Sequence, residues 1–255
     1  MSSLATLRKQ LQGPRKAVDT WYGKNVMRRV SIYLTWVFSQ LGLSPNIATT
    51  LSLISALLGA WFLSGAEWGL GVFFVNLWYL LDHVDGELAR YYKRASASGL
   101  FYDTTINFLA QPLTLIGLGW GLGWGQGAYL LFGLLGAFGY LMLSLIPMCE
   151  ASILLEKIQT RGSLPHRPAP ATRTSGGSFL KRAFSTLHQI STFPNFLMVF
   201  TVLYLVTVLF PVQHYDIFCL FLIFYSLACT VIWTTQLFQK VYSKKLDQHP
   251  WIKEA

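Results

Sequence analysis

The chain has 255 residues, of which 53% are hydrophobic and only 12% charged, with a mean hydropathy of +0.43. A soluble domain carries about 25% charged residues, so a water-soluble globular fold is excluded and the bilayer is the expected solvent. The formal net charge of +9 is placed along the chain as membrane topology, not as a nucleic-acid patch.

In chain order, residues 1–45 read as a cytosolic and interfacial segment. Within it, "PRKAVDTWYGKNVMRRVSIYLTWVFSQ" (14–40) interleaves basic residues with Trp21, Val26, Val30, Tyr33 and Val37. That pattern predicts an amphipathic helix lying in the interface with its apolar face in lipid. The alternative, a short span over 30–43, is disfavoured because a crossing takes about 20 residues. The N-terminus is polar and basic, so no cleavable signal peptide is expected. "GLSPN" (42–46) then punctuates the chain, with Ser44-Pro45-Asn46 as a helix start.

Six apolar runs follow, at 46–64, 68–91, 98–121, 126–156, 188–211 and 214–243. They predict an all-α polytopic membrane protein with six transmembrane helices in one domain, 46–243. The third and fourth are parted only by the Gly/Trp-rich turn 119–127. A Pro/Ser/Gly-rich mobile loop is expected within 157–187, and a polar tail over 244–255. All 20 Lys and Arg fall in 1–45, 90–97, 157–187 and from 240 onward; the turns near 65, 124 and 213 have none. Basic residues mark cytosolic loops, so both termini face the cytosol, in the cell (inner) membrane or another cellular membrane. Cys149, Cys219 and Cys229 lie in apolar runs without metal-ligand spacing, and packing accounts for them. No internal repeat is visible.

The end of the second run, "LLDHVDGELARYY" (80–92), breaks its apolar pattern with Asp82, Asp85, Glu87 and Arg90. Asp82 and Asp85 are three apart and share a helix face. The third run opens with Gly99, Asp103 and Asn107 recurring every four residues, also on one face, and a tight turn lets the two faces oppose. Gly86 and Gly99 leave room for a close approach of helices or of a ligand. An acid at membrane depth costs about 2.5–3.5 kcal/mol on insertion scales, and clustered acids repel one another. A divalent cation removes both costs, and oxygen ligands favour Mg²⁺, Mn²⁺ or Ca²⁺ over zinc. The competing explanation pairs these acids with Arg90, Lys93 and Arg94 at a solvated helix end. Acids converging from two runs favour the cation. His83, between Asp82 and Asp85, points off their face. Transport is disfavoured, since the acids sit near one end of their runs.

Read in order, Asp82, Asp85-Gly86, Ala89-Arg90, Gly99, Asp103 and Asn107 closely resemble the signature of the CDP-alcohol phosphotransferases, D-x2-D-G-x2-A-R, seven or eight residues, G-x3-D-x3-D. "SPNIAT" (44–49) is similar to the element that opens the first span in that family. The resemblance implies transfer of a phosphoalcohol group from a CDP-alcohol donor, such as CDP-diacylglycerol, to a second alcohol at the cytosolic face, with release of CMP. It implies two Mg²⁺ or Mn²⁺ ions held by Asp82, Asp85 and Asp103 with the fourth position, here Asn107. It also places nucleotide contacts at Asn46, Thr49, Gly86, Ala89, Arg90 and Ser96, and a homodimer in the bilayer.

Asn107 departs from the pattern. In the family the fourth acid ligates metal and serves as the base toward the acceptor; an amide offers only a carbonyl oxygen. Three accounts stay open: an acceptor that is already anionic, a substitute base such as His83 or metal-bound hydroxide, or a nucleotide-binding relative impaired in catalysis. Arg173, Lys181 and Arg182 are candidates for an acceptor phosphate, although a solvated basic loop explains them more simply. Glu150 either reaches the pocket or marks the headgroup region.

Overall fold

The computed structural model describes residues 4–13, 20–123, 127–161, 194–210 and 212–242. Among these residues the protein is all helical, with no strand. Helix α1 (Leu4–Gln12) is followed by a π-helical turn (Gly23–Met27) running directly into α2 (Arg28–Gln40). Then come α3 (Pro45–Ser64), α4 (Trp68–Tyr91), α5 (Ala97–Leu122), α6 (Gly127–Arg161), α7 (Asn195–Leu209) and α8 (His214–Tyr242). The predicted loop beyond Arg161, with Arg173, Lys181 and Arg182, and the tail 244–255 lie outside the described residues.

The helix starts follow from local chemistry. Ser44 caps α3 by accepting from the Ile47 amide, with Pro45 at the first helical position where its missing N–H costs nothing. Ser96 caps α5 the same way, accepting from the Gly99 amide at 3.0 Å. Between them α4 ends in a tight turn with Lys93 in the left-handed region (φ 52°). The Arg94 amide reaches back to the Ala89 carbonyl at 2.9 Å, a closure that normally uses glycine. This turn brings the start of α5 beside the end of α4.

Among the described residues three helices are long and apolar enough to cross a bilayer: Pro45–Ser64, Gly127–Glu156 and His214–Tyr242. Helices α4 and α5 have 24 and 26 residues, enough length, but the polar groups of the site dilute their apolar character. The fifth predicted run is shorter than expected among the described residues. Helix α7 has 15 residues, about 22 Å at 1.5 Å per residue. Residues 188–193 of that run fall outside the description.

Helices α3, α4 and α5 pack as one group, and α6 lies against α5 and α8. The close crossing of α3 and α5 depends on Gly117 and Gly121, where a Cβ would collide with the Ala60 and Leu63 carbonyls. Trp78 on α4 and the rings of Phe196, Phe200 and Phe218 on α7 and α8 are buried in the main apolar core.

Helix α2 is amphipathic in an unexpected sense. Trp21, Val26, Val30, Tyr33 and Val37 are exposed, as a lipid-facing stripe requires. The opposite face is not wholly solvated, because Arg28, Ser31, Ile32 and Thr35 are buried against the rest of the protein. Ile32 packs with Leu7 and Leu11, and the polar members Arg28, Ser31 and Thr35 meet Glu87.

Candidate active site

Glu87 is fully buried on α4, and the N-terminal helices close over it. Its Oε1 accepts from Ser31 Oγ at 2.7 Å and Gln12 Nε2 at 2.9 Å, and its Oε2 accepts from Thr35 Oγ1 at 2.7 Å. Arg28 Nη1 lies 3.5 Å from Oε1. In the sequence Glu87 stands among the clustered acids with nothing to mark its task. Arg28, Ser31 and Thr35 form a polar stripe on one face of a helix otherwise facing lipid, but nothing local in the sequence pairs that stripe with Glu87. Removing one partner of a buried charge typically costs about 3–5 kcal/mol. Glu87→Ala should therefore lower thermal stability far more than Ser31→Ala, as read by unfolding in detergent.

The other side of the same α4 segment faces a cavity of about 320 Å³ between α3, α4 and α5. Its wall includes Asn46 and Thr49 from α3, Gly86, Ala89 and Arg90 from α4, and Ser96 from the α5 cap. All six residues predicted for nucleotide contact thus line one cavity. Asp85, Gly99 and Asp103 line it too, as do Pro45, Arg94, Ala95 and Leu100. Gly86 and Gly99 open the cavity to a ligand instead of admitting a helix backbone. A Cβ on Gly86 would meet only the Arg90 guanidinium, at 3.5 Å, and one on Gly99 would meet Ser96 Oγ at 3.1 Å.

The carboxylates are held individually. Asp85 is buried, and its Oδ2 accepts from Thr49 Oγ1 at 2.8 Å. Thr49 therefore also orients an acid. Asp82 and Asp103 face one another across the Asn107 amide: Asn107 Nδ2 donates to Asp82 Oδ1 at 2.7 Å and to Asp103 Oδ1 at 3.1 Å. Asn107 Oδ1 is buried with no hydrogen-bond partner among the described residues. Asp82 and Asn107 lie outside the cavity lining, a step deeper along their helices.

Among the described residues no three His, Cys, Asp or Glu groups are gathered tightly enough to hold an ion as they stand. The donor chemistry nevertheless fits a hard divalent cation. Two carboxylates share one positively polarised nitrogen, and an unsatisfied carbonyl oxygen sits on the same side chain. Turning the amide would exchange two hydrogen bonds for an all-oxygen set of Asp82, Asp103 and Asn107 beside Asp85.

His83 lies off this site. Its Nδ1 is 2.9 Å from the Tyr79 carbonyl and 3.9 Å from Asp82 Oδ2, and its ring stands edge-on to Tyr79. On its other side, Nε2 is 3.3 Å from where a Cβ on Gly23 would sit. Glu150 is likewise removed from the cavity, paired with Lys240 across α6 and α8. Cys219 and Cys229 are buried as packing predicts, whereas Cys149 is exposed on α6.

A guanidinium, carboxylates and small residues thus gather around one cavity in an all-helical protein with bilayer-length apolar helices. Sequence comparison then gives the family: residues 42–210 match CDP-alcohol phosphatidyltransferase, and the chain belongs to that family. An 81-residue stretch is 38% identical to the bifunctional IPC transferase and DIPP synthase of Rubrobacter xylanophilus. That stretch covers 32% of this chain and 19% of the relative.

Proposed function

We propose that the protein moves a phosphoalcohol group of phosphatidyl type from a CDP-alcohol donor to an acceptor, releasing CMP, in the synthesis of a phospholipid or related lipid-linked product. The observation that carries this is the gathering of Asn46, Thr49, Gly86, Ala89, Arg90 and Ser96 on one cavity beside Asp85 and Asp103. Six crossings with both termini and the cavity on the cytosolic side match the placement of the basic residues.

In the transfer, an acceptor oxygen bonds to the phosphorus bearing the donor alcohol. The bond from that phosphorus to the CMP oxygen breaks, and CMP leaves with the electron pair. The Arg90 fork is suited to pair with a donor phosphate oxygen. Asp82, Asp85 and Asp103, with the Asn107 carbonyl, would hold the divalent cation. An Mg²⁺ or Mn²⁺ ion held there would supply charge neutralisation to the diphosphate and polarise the attacked phosphorus.

The neutral amide of Asn107 cannot accept the proton of an alcohol, and His83 lies outside the cavity lining with its Nδ1 at the Tyr79 carbonyl. We therefore assign the acceptor to a class whose attacking oxygen is already ionised, such as a phosphate monoester. The test is CMP release by the purified protein from CDP-diacylglycerol and other CDP-alcohols in Mn²⁺, across anionic and neutral acceptors. Turnover with an ionised acceptor supports the reading. Tight CDP binding with no CMP released from any pair would instead make the protein a binder.

A further inference from the structure

We propose that α1 is a positioning element for the donor site, acting on Arg90 through the backbone carbonyl of Leu11. This rests on reading the cavity as the donor site. Helix α1 lies outside the stretch that matches the family, 42–210, so nothing in the family match assigns it a task.

The contact is specific. Arg90 Nε donates to the Leu11 carbonyl at 2.7 Å. The last carbonyls of a helix lack intrahelical partners, and the C-terminal end carries partial negative charge, so a guanidinium is a fitting partner there. With Nε engaged, the fork lies over Gly86 on the cavity wall, Nη1 and Nη2 being 3.5 and 3.7 Å from where a Cβ on Gly86 would sit. A long side chain that must be ordered only when its ligand arrives loses rotamer freedom on binding. Here α1 removes that freedom beforehand.

Helix α1 is itself held at a defined distance. Gln12 is buried, and its Nε2 donates to Glu87 Oε1 at 2.9 Å and to the Arg28 carbonyl at 2.7 Å. Leu7 and Leu11 pack on Ile32 of α2. Between α1 and the end of α4 there is a second cavity of about 420 Å³, walled by Leu7, Gln10, Leu11, Arg90, Tyr91 and Lys93. Apolar packing thus does not press α1 onto the end of α4. The polar links through Gln12 and Arg90 set the spacing. Gln12 is a positioning residue, two contacts removed from the nucleotide.

A double-mutant cycle on the full chain tests this, pairing Gln12→Ala with Arg90→Lys, which has no Nε to anchor. Donor KM, acceptor KM and CDP-dependent stabilisation are read for all four proteins. Gln12→Ala should raise donor KM about tenfold, the size of one hydrogen bond to a charged group, and leave acceptor KM unchanged. In the Arg90→Lys background the same change should move donor KM less than about twofold, because the coupled contact is already gone. Leu7→Glu, which detaches α1 through its apolar contact, should repeat the pattern. Equal losses in both backgrounds, or no loss in the first, overturn the role of α1 while leaving the donor site intact. A wild-type protein that shows no response to CDP overturns the donor reading itself, and α1's role with it.

Discussion

Asn107→Asp should leave CMP release flat or lower it, and should make the fold depend on a divalent cation. In the wild-type protein the Asn107 amide donates to both Asp82 and Asp103, so two facing acids are reconciled by one nitrogen. A carboxylate at 107 removes both hydrogen bonds and sets a third negative charge against the pair. Losing a donor to a buried acceptor costs about 1–3 kcal/mol, and the half-buried Asp82 and Asp103 lose one each. The metal-free variant should therefore melt well below wild type, and Mn²⁺ should restore most of the loss. Turnover is the second readout. If the acceptor is ionised, a new carboxylate repels it and supplies nothing it needs. If the protein is an impaired relative of ordinary transferases, the restored base should raise CMP release through a neutral hydroxyl of glycerol phosphate, inositol phosphate or serine, giving a phosphodiester and not a diphosphate, by roughly 10²-fold or more. A gain of that size would overturn the assignment of an anionic acceptor.

Asp82→Ala and Asp85→Ala should each abolish CDP-dependent thermal stabilisation in Mg²⁺ or Mn²⁺ while the protein remains folded and inserted. The two acids differ in their supports: Asp85 is oriented by Thr49 from α3, Asp82 by Asn107 from α5. Asp85 lines the cavity, and Asp82 lies a step deeper, held through Asn107 beside Asp103. The expected loss of nucleotide affinity is 10²-fold or greater, since an uncompensated diphosphate would meet Asp103 and the remaining acid. Nucleotide stabilisation that survives in both variants, or in EDTA, would remove the cation from the site.

The fold and the site were legible to different depths. Helices α3, α4, α5 and α8 begin and end within a residue or two of the apolar runs, because Ser44-Pro45, Ser96 and the polar turns are local signals. The site residues were legible because Asp82, Asp85, Gly86 and Arg90 keep helical spacing, as do Gly99, Asp103 and Asn107. The short α4–α5 turn can join them in only one way. Three features were not legible. The grip of Gln12, Arg28, Ser31 and Thr35 on Glu87 joins residues up to 75 positions apart, and no local period encodes such a pairing. The close crossing of α3 on Gly117 and Gly121 depends on which face of α5 turns inward. The direction of the Asn107 amide depends on two acids brought from different helices. In each case tertiary contact, not propensity, makes the choice.

The most direct measurement asks whether the cavity between α3, α4 and α5 holds the nucleotide. Gly86→Leu fills it from the wall where only the Arg90 guanidinium stands near, and it removes no carboxylate and no helix cap. CDP binding in Mn²⁺, measured by thermal shift or calorimetry on wild type and Gly86→Leu side by side, reads the site alone. The account predicts that wild type binds and that Gly86→Leu loses CDP by at least about tenfold while melting within a few degrees of wild type without ligand. CDP binding of equal strength in both proteins would contradict it, and the donor would have to be sought elsewhere on the molecule.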